Sequence, residues 1–172
     1  MKGVIFLDRD GVIVQDVGYL NTTERIRWVP GILEALRALQ RRGYALVIVS
    51  NQSGLRRGFF SWDRMWRVQR EIERRLRREG IRILATYLCP HHPNERCGCR
   101  KPGTISVSRF LHQYPEYKNT PWVVVGDRET DMEFGRRLGA QTFCLNPRAD
   151  DPQGTVLTDP RDLLQRLGRH AV

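Results

Sequence analysis

Two aspartates near the N-terminus, Asp8 and Asp10, follow an apolar run over residues 4–7 and precede Gly11. An unbroken apolar run of this kind is typical of a strand that is buried on both faces of a parallel sheet. Ligands of open α/β sheets bind at the carboxyl ends of such strands. A carboxylate there can act as a nucleophile or as a general acid, but Asp and Gly are also common in surface turns. This segment alone leaves both interpretations open.

Polar groups also follow three later predicted strands, which span residues 44–49, 81–88 and 122–125. The groups that follow them are, in order, Ser50 and Asn51, Arg100 and Lys101, and Asp127 and Asp131. Carboxylates suit Mg²⁺, while lysine, hydroxyl, amide and backbone N–H groups suit a phosphate. Because the carboxyl ends of parallel strands share one edge of a sheet, four polar sets there favour a site over four separate turns.

At this point the chain resembles the haloacid dehalogenase-like (HAD) phosphatases. The matching segments span most of the chain in the family's order, and they are DRDG at 8–11, VSN at 49–51, KP at 101–102 and GDRETD at 126–131. The resemblance implies that Asp8 is the nucleophile that forms an aspartyl-phosphate and that Asp10 is the general acid and base. It implies that Lys101 neutralises the phosphoryl group, beside the phosphate-loop residues Ser50 and Asn51.

The resemblance also implies a catalytic Mg²⁺. Its ligands would be the carboxylate of Asp8, the carbonyl oxygen of Asp10 and the carboxylate of Asp127, with Asp131 supporting them from nearby. The sequence departs from the family at Val12, where many members have Thr, but this position carries no catalytic role.

A second constellation lies in the loop after the third predicted strand, where Cys89, His91, Cys97 and Cys99 fall within eleven residues. Three thiolates and one imidazole fit tetrahedral Zn²⁺ with all four positions filled by protein, which is typical of a structural site. His91 is the expected ligand, and the adjacent His92 is the alternative.

The zinc loop, together with the lack of an inserted cap domain, resembles the branch that contains D,D-heptose 1,7-bisphosphate phosphatases and histidinol-phosphate phosphatases. Segments 16–19 and 51–58 resemble the heptose enzymes, whereas the short spacing from His91 to Cys97 resembles the histidinol enzymes. The expected substrate is therefore a heptose 1,7-bisphosphate cleaved at position 7, with histidinol phosphate as the alternative. The expected substrate-binding residues are Asp16, Tyr19, Ser53, Arg57 and Arg100.

Strands and helices alternate along the chain, with helical patterns near residues 30–42, 61–80, 104–114, 129–139 and 159–168. Alternation of this kind predicts an α/β fold, doubly wound around a mostly parallel sheet, with residues 1–172 as one capless domain. Cys144 falls inside the fifth predicted strand, 141–145, and is expected to be a buried apolar residue. Residues 146–158 are expected to form a loop, and Asp159 to cap the last helix.

The chain of 172 residues carries a net charge of +10, and eight arginines lie between residues 64 and 82. Apolar residues at helical spacing and i,i+4 acid–arginine pairs in this segment favour a solvated helix face over a nucleic-acid surface. A polynucleotide phosphatase that binds through this helix remains an alternative, and salt-sensitive binding of oligonucleotides would distinguish it. We otherwise expect a small phosphorylated sugar as partner, no specific nucleic acid and a monomeric protein.

No apolar stretch approaches the length of a membrane span, and an apolar strand begins within the first few residues. We therefore expect no membrane association, no secretion signal and a cytoplasmic location with reduced or metal-bound thiols.

Overall fold

The computed structural model describes residues 1–146 and 155–168. The strands of this part are β1 (Gly3–Leu7), β2 (Tyr44–Asn51), β3 (Ile83–Cys89), β4 (Trp122–Gly126) and β5 (Gln141–Cys144). The helices are α1 (Ile32–Arg41), α2 (Trp62–Arg78), α3 (Ile105–Gln113), α4 (Glu129–Leu138) and α5 (Asp162–Arg166). Two short 3₁₀ helices, Thr23–Arg25 and Pro115–Tyr117, complete the helical segments.

The sheet is parallel throughout its described strands, in the order β3-β2-β1-β4-β5. The chain winds outward from β1 to β3 and then crosses back to β4 on the other side of β1. Strand order thus reverses at β1, which is the place where open α/β sheets bind ligands. Leu7 pairs with both Ile48 and Val125, so Asp8 leaves the sheet between the ends of its two neighbours.

The central strand is buried on both faces because its side chains alternate between two apolar layers. Ile5 and Leu7 belong to the layer covered by α1, α2 and α5, whereas Val4 and Phe6 belong to the layer covered by α3 and α4. Phe6 makes edge-to-face contacts with Phe110 and Phe134, with ring centroids 5.5 and 6.4 Å apart. This packing confirms the predicted α/β fold and fixes the position of the strand that carries Asp8.

Most element boundaries agree with the sequence within two residues. Ser61 caps α2 as predicted, since its hydroxyl accepts a hydrogen bond from the backbone N–H of Arg64. The prediction that Asp159 caps the last helix is wrong, because α5 begins at Asp162. The Asp159 carboxylate accepts a hydrogen bond from the backbone N–H of Arg161 instead, which stabilises the turn before the helix.

Residues 147–154, most of the loop predicted over 146–158, lie outside the described residues. Of the helices in the described ranges, none has the length and apolar character needed to cross a membrane. That residues 1–172 form a single domain stays a prediction from the sequence.

Candidate active site

A pocket of about 610 Å³ opens at the carboxyl edge of the sheet, above the end of β1. All ten residues predicted to be catalytic or substrate-binding line it, and they are Asp8, Asp10, Asp16, Tyr19, Ser50, Asn51, Ser53, Arg57, Arg100 and Lys101. Three separate stretches of the chain, residues 8–19, 50–57 and 100–101, supply these side chains. The parallel register therefore brings together residues that lie up to 93 positions apart in the chain.

The buried Lys101 lies at the base of this pocket. Its Nζ atom lies 2.9 Å from an oxygen of Asp8, 2.5 Å from an oxygen of Asp131 and 2.7 Å from the carbonyl oxygen of Val49. Burial opposes the charged form of the amine, but the two carboxylates outweigh it, so the pKa of Lys101 lies above its usual value. Lys101 is thus a fixed positive charge beside the predicted nucleophile.

Asn51 holds the backbone of Lys101 in place. Its side-chain oxygen accepts a hydrogen bond from the Lys101 N–H at 2.9 Å, and its amide nitrogen donates to the Lys101 carbonyl at 3.2 Å. The predicted phosphate-loop residue therefore also positions the lysine.

Three carboxylates, those of Asp8, Asp127 and Asp131, form a cluster whose oxygens lie within 4.8 Å of one another. Burial, and then the negative charges of Asp8 and Asp131, raise the pKa of Asp127 to about 7. Asp127 Oδ1 is buried and has no hydrogen-bond partner in the described chain. A buried carboxylate oxygen that lacks a hydrogen-bond partner and lies beside other carboxylates is suited to bind a hard divalent cation. These residues therefore fit Mg²⁺.

The remaining predicted metal residues lie around this cluster. Asp131 is paired with Lys101, and its Oδ2 accepts hydrogen bonds from the backbone N–H groups of Asp127 and Arg128. The Asp10 carboxylate lies outside the cluster, so only its carbonyl oxygen remains as a candidate ligand, as the family resemblance implies. This carbonyl accepts no hydrogen bond from the described residues.

Asp10 is held on the pocket wall by two neighbours. Arg9 donates two hydrogen bonds to its carboxylate, from Nε at 3.0 Å and from Nη2 at 3.2 Å. The side chain of Gln52 donates to Asp10 at 2.7 Å and to the hydroxyl of Ser50 at 2.9 Å. The predicted acid and the predicted phosphate-loop hydroxyl are therefore joined through one glutamine.

The outer wall of the pocket combines an aromatic side with a cationic side. Tyr19 stacks on Phe59 with ring centroids 4.3 Å apart, and Asp16 pairs with Arg128 at 2.8 Å. Arg57 and Arg100 line the pocket from the loops that follow β2 and β3.

These two arginines differ from Arg56, which does not line the pocket. Arg56 forms an ion pair with Glu95 at 3.5 Å. Arg57 and Arg100 form no ion pair with the described residues, although Arg100 donates a hydrogen bond to the carbonyl oxygen of His91, so a second anionic group of a ligand could bind at these two cations.

The cysteine- and histidine-rich loop closes into a cluster of four potential ligand atoms. The Cys89 sulfur lies 3.7 Å from that of Cys97 and 3.0 Å from that of Cys99, and His91 Nδ1 lies 3.2 Å from the Cys99 sulfur. The four ligand atoms lie within 4.8 Å of one another, so they are close enough to surround a single metal ion. Burial and the hydrogen bond with Cys99 raise the pKa of the Cys89 thiol, which a bound cation would offset.

Of the two adjacent histidines, only His91 belongs to this cluster. His92 Nδ1 accepts a hydrogen bond from the backbone N–H of Asn94. The geometry therefore favours His91, the expected ligand, over the alternative His92.

The chain matches a known family and several of its members. The HAD-hydrolase-like family matches residues 98–146. The D-glycero-beta-D-manno-heptose-1,7-bisphosphate 7-phosphatase of Vibrio cholerae is 38% identical over 154 residues, covering 84% of this chain and 81% of that protein. The D-glycero-alpha-D-manno-heptose-1,7-bisphosphate 7-phosphatase of Mycobacterium bovis is 35% identical over 138 residues, covering 79% of this chain and 73% of that protein.

The chain belongs to the heptose bisphosphate phosphatases of the HAD-like hydrolases. The crystal structure of the D,D-heptose 1,7-bisphosphate phosphatase from B. bronchiseptica, complexed with magnesium and phosphate, superposes with a TM-score of 0.86 and 29% identity. The match covers 99% of this chain and 100% of that chain. The predicted HAD family and its phosphatase activity are thereby confirmed.

Sequence reasoning did not assign a role in the phosphatase site to Arg9, Gln52 or Arg128. Arg9 stands between the two aspartates and should point away from them on an extended strand, so only the folded turn reveals that it returns to Asp10. Gln52 follows Ser50 and Asn51 directly, and that proximity was a signal. The ion pair between Arg128 and Asp16 joins positions 112 residues apart and leaves no local sequence pattern.

Gly11 lets Asp127 approach the turn after β1, because a Cβ atom at Gly11 would lie 2.1 Å from Asp127 Oδ2. Gly11 also has a φ of +87°, which side chains disfavour. We expect Gly11→Ala to lower the free energy of unfolding by more than the ~1–2 kcal/mol of a left-handed conformation alone. Urea unfolding measures this, and kcat should fall as Asp127 is displaced.

Gly80→Ala is the matched control, because Gly80 has a φ of +75° and open space around the same position. In this variant the free energy of unfolding should fall only by the cost of the left-handed conformation, and full activity should be retained. Equal losses of stability in the two variants would contradict the steric role of Gly11.

Proposed function

We propose that the protein is a Mg²⁺-dependent D-glycero-D-manno-heptose 1,7-bisphosphate 7-phosphatase that acts through an aspartyl-phosphate on Asp8. The observation that carries this proposal is the pairing of Asp8 with the buried Lys101, next to the carboxylate cluster at the base of the pocket. The names of the Vibrio cholerae and Mycobacterium bovis relatives support the substrate.

In the first step, an oxygen of Asp8 attacks the phosphorus of the 7-phosphate, and the bond from phosphorus to the sugar oxygen breaks. Lys101 holds one oxygen of Asp8, which orients the other for attack and offsets negative charge on the phosphoryl group. Asp10, as a carboxylic acid, donates its proton to the departing sugar oxygen. The products are a phosphorylated Asp8 and the free sugar hydroxyl.

In the second step, the Asp10 carboxylate accepts a proton from a water molecule as the water oxygen attacks the same phosphorus. The bond between phosphorus and Asp8 breaks, which releases inorganic phosphate and restores the Asp8 carboxylate. Ser50 and backbone N–H groups of the following turn are suited to hold the phosphoryl oxygens in both steps.

The Mg²⁺ ion would be held by Asp8, Asp127 and the carbonyl oxygen of Asp10, with Asp131 as the supporting carboxylate. When bound, it supplies positive charge that brings the anionic substrate and the anionic nucleophile together. The buried and unpartnered Oδ1 of Asp127 supports this assignment.

Arg57 and Arg100 are our candidates for the second phosphate of the substrate. Arginine binds phosphate oxygens in a bidentate manner, and both side chains line the pocket. Since the described residues form no cap domain over the site, the surrounding loops must provide this recognition.

Histidinol phosphate would instead present an ammonium group, which calls for an available carboxylate. The acids that line the pocket apart from Asp8, Asp10 and Asp131 are Asp16 and Glu129, and both are paired with arginines. Glu95 is likewise occupied by Arg56 and by the backbone N–H of His92. These pairings support the bisphosphate over histidinol phosphate.

We further propose that Cys89, His91, Cys97 and Cys99 hold one structural Zn²⁺. With four protein ligands, the ion would fix the loop that leads directly into Arg100 and Lys101. A monomeric state, a cytoplasmic location and the absence of a specific nucleic-acid partner stay predictions from the sequence.

Replacing the nucleophile should abolish catalysis. We expect Asp8→Asn to lower kcat at least ~10³-fold with little change in KM, as for other members of a catalytic unit. A chelator should abolish activity, and added Mg²⁺ should restore it. Asp63→Asn, at an exposed position on α2, is the control and should turn over normally, whereas near-normal turnover of Asp8→Asn would refute the assignment.

The zinc proposal is tested by the neighbouring histidines. Purified protein should contain about one equivalent of zinc, which His91→Ala and Cys97→Ser should lose, while His92→Ala should retain it. Elemental analysis measures the metal content, and the zinc-free variants should lose activity as Arg100 and Lys101 are displaced. Carefully purified wild-type protein without zinc, or equal zinc loss in both histidine variants, would exclude this ligand set.

Substrate preference is tested by kcat/KM for both anomers of the heptose bisphosphate against histidinol phosphate. We expect the bisphosphate to be preferred at least ~10²-fold, and Arg57→Ala to reduce that preference, because a hydrogen bond to a charged group contributes ~1.5–3 kcal/mol. Arg56→Ala is the matched control and should keep the preference. If the wild type prefers histidinol phosphate, the proposed substrate is wrong and histidinol phosphate replaces it, while the proposed mechanism stands.

A further inference from the structure

Arg9 is an arginine buried at the centre of the site, with only 1% of its side chain exposed. It stands between the two aspartates in sequence, and its guanidinium turns back to Asp10. Nε and Nη2 contact the two different oxygens of that carboxylate, at 3.0 and 3.2 Å. A planar fork that contacts both oxygens fixes the rotation of the carboxylate as well as its position.

Gln52 closes this arrangement into a ring of hydrogen bonds. Its side-chain oxygen accepts a hydrogen bond from Arg9 Nη2 at 2.9 Å, and its nitrogen donates to Asp10 Oδ2 at 2.7 Å. The same nitrogen donates to the hydroxyl of Ser50 at 2.9 Å. Arg9 and Gln52 are both buried, but Gln52 lines the pocket beside Asp10, whereas Arg9 does not. Arg9 therefore holds the pocket-facing carboxylate from behind, and Gln52 holds it from the side.

Stability alone does not account for this arginine. Its Nη1 atom is buried and has no partner in the described chain. Desolvation of a charged group can exceed the attraction of its ion pair, and apolar replacements of buried pairs are often neutral or stabilising. A buried charge with an unsatisfied nitrogen is therefore better explained by what it does to Asp10.

We propose that Arg9 and Gln52 are positioning residues that aim the Asp10 carboxyl group at the leaving oxygen of the substrate. This inference rests on the proposed role of Asp10 as general acid. In this proposal both residues act through the orientation of Asp10, to which each donates a hydrogen bond.

The proposal makes the reaction depend on the leaving group. A sugar hydroxyl departs poorly as an alkoxide, so its release needs the proton of Asp10 as the phosphorus–oxygen bond breaks. 4-Nitrophenolate departs without that proton, because its negative charge is delocalised over the ring. Since kcat/KM reports the steps up to release of the first product, a misdirected acid should lower kcat/KM for the alkyl phosphate and spare the aryl phosphate.

The experiment compares kcat/KM for the heptose bisphosphate and for 4-nitrophenyl phosphate in Arg9→Met, Arg9→Lys and Gln52→Leu. A positioned general acid contributes ~10²–10⁴-fold, so we expect Arg9→Met and Gln52→Leu to lose at least ~10-fold more on the alkyl than on the aryl substrate. Arg9→Lys should recover only part of the difference, because its single ammonium cannot engage both oxygens at fixed angles.

Asp10→Asn serves as the reference, and Arg37→Met, which removes an exposed ion pair with Glu79, serves as the control. If Asp10→Asn shows no dependence on the leaving group, the proposed role of Asp10 is wrong. Suppose that Asp10→Asn shows this dependence, but that kcat/KM falls equally for both substrates in the Arg9 and Gln52 variants. Arg9 and Gln52 then have a merely structural role, and the inference fails. If circular dichroism shows that Arg9→Met does not fold, Gln52→Leu and Arg9→Lys decide the question in the same way.

Discussion

The buried ammonium of Lys101 is the interaction on which the site depends. It contacts Asp8 at the end of β1, Asp131 on α4 and the backbone of β2, so it joins three elements at the point where strand order reverses. Without this charge, Asp8 and Asp131 would lie buried beside Asp127 with their mutual repulsion uncompensated. Removal of one partner from such a group is strongly destabilising, because it leaves an unpaired buried charge. The same contact thus holds the fold together at its ligand-binding edge and prepares the phosphatase site.

The position of Lys101 is itself secured from two directions. Asn51 fixes its peptide group through two hydrogen bonds, and the Cys/His cluster ends two residues earlier, at Cys99. The loop over residues 89–101 has little apolar surface of its own, so a metal ion on the proposed zinc ligands would replace the packing that a core provides. A zinc ion bound there would hold the segment that carries Lys101, the proposed catalytic lysine.

Two cations give the neighbouring carboxylates of Asp8 and Asp10 different surroundings. Asp8 is paired with Lys101, which suits its proposed role as nucleophile, whereas Asp10 is held by Arg9 and Gln52 on the pocket wall. Paired acids with different surroundings are a general means of assigning different roles to identical side chains. The outer loops add Arg57 and Arg100, so an anionic ligand in the pocket meets positive charge from these loops as well as from Lys101.

Much of the fold and the site could be predicted from the sequence, because the signals were local. Alternating apolar strands and helices, with turns at Gly11 and Gly43, predicted the parallel sheet, and polar residues at four strand ends predicted the pocket. Other features arose only from tertiary structure. Three contacts depend on where the backbone carries each side chain. Arg9 returns to Asp10, His91 rather than His92 joins the Cys/His cluster, and Asp16 pairs with Arg128. No periodicity encodes such contacts, since they join residues through space. The start of α5 differs from the prediction for another reason, because local hydrogen bonds before Asp162 competed with the helix. The sequence by itself thus determined which chemical groups reach the edge of the sheet, and the tertiary structure decided which of them contact one another.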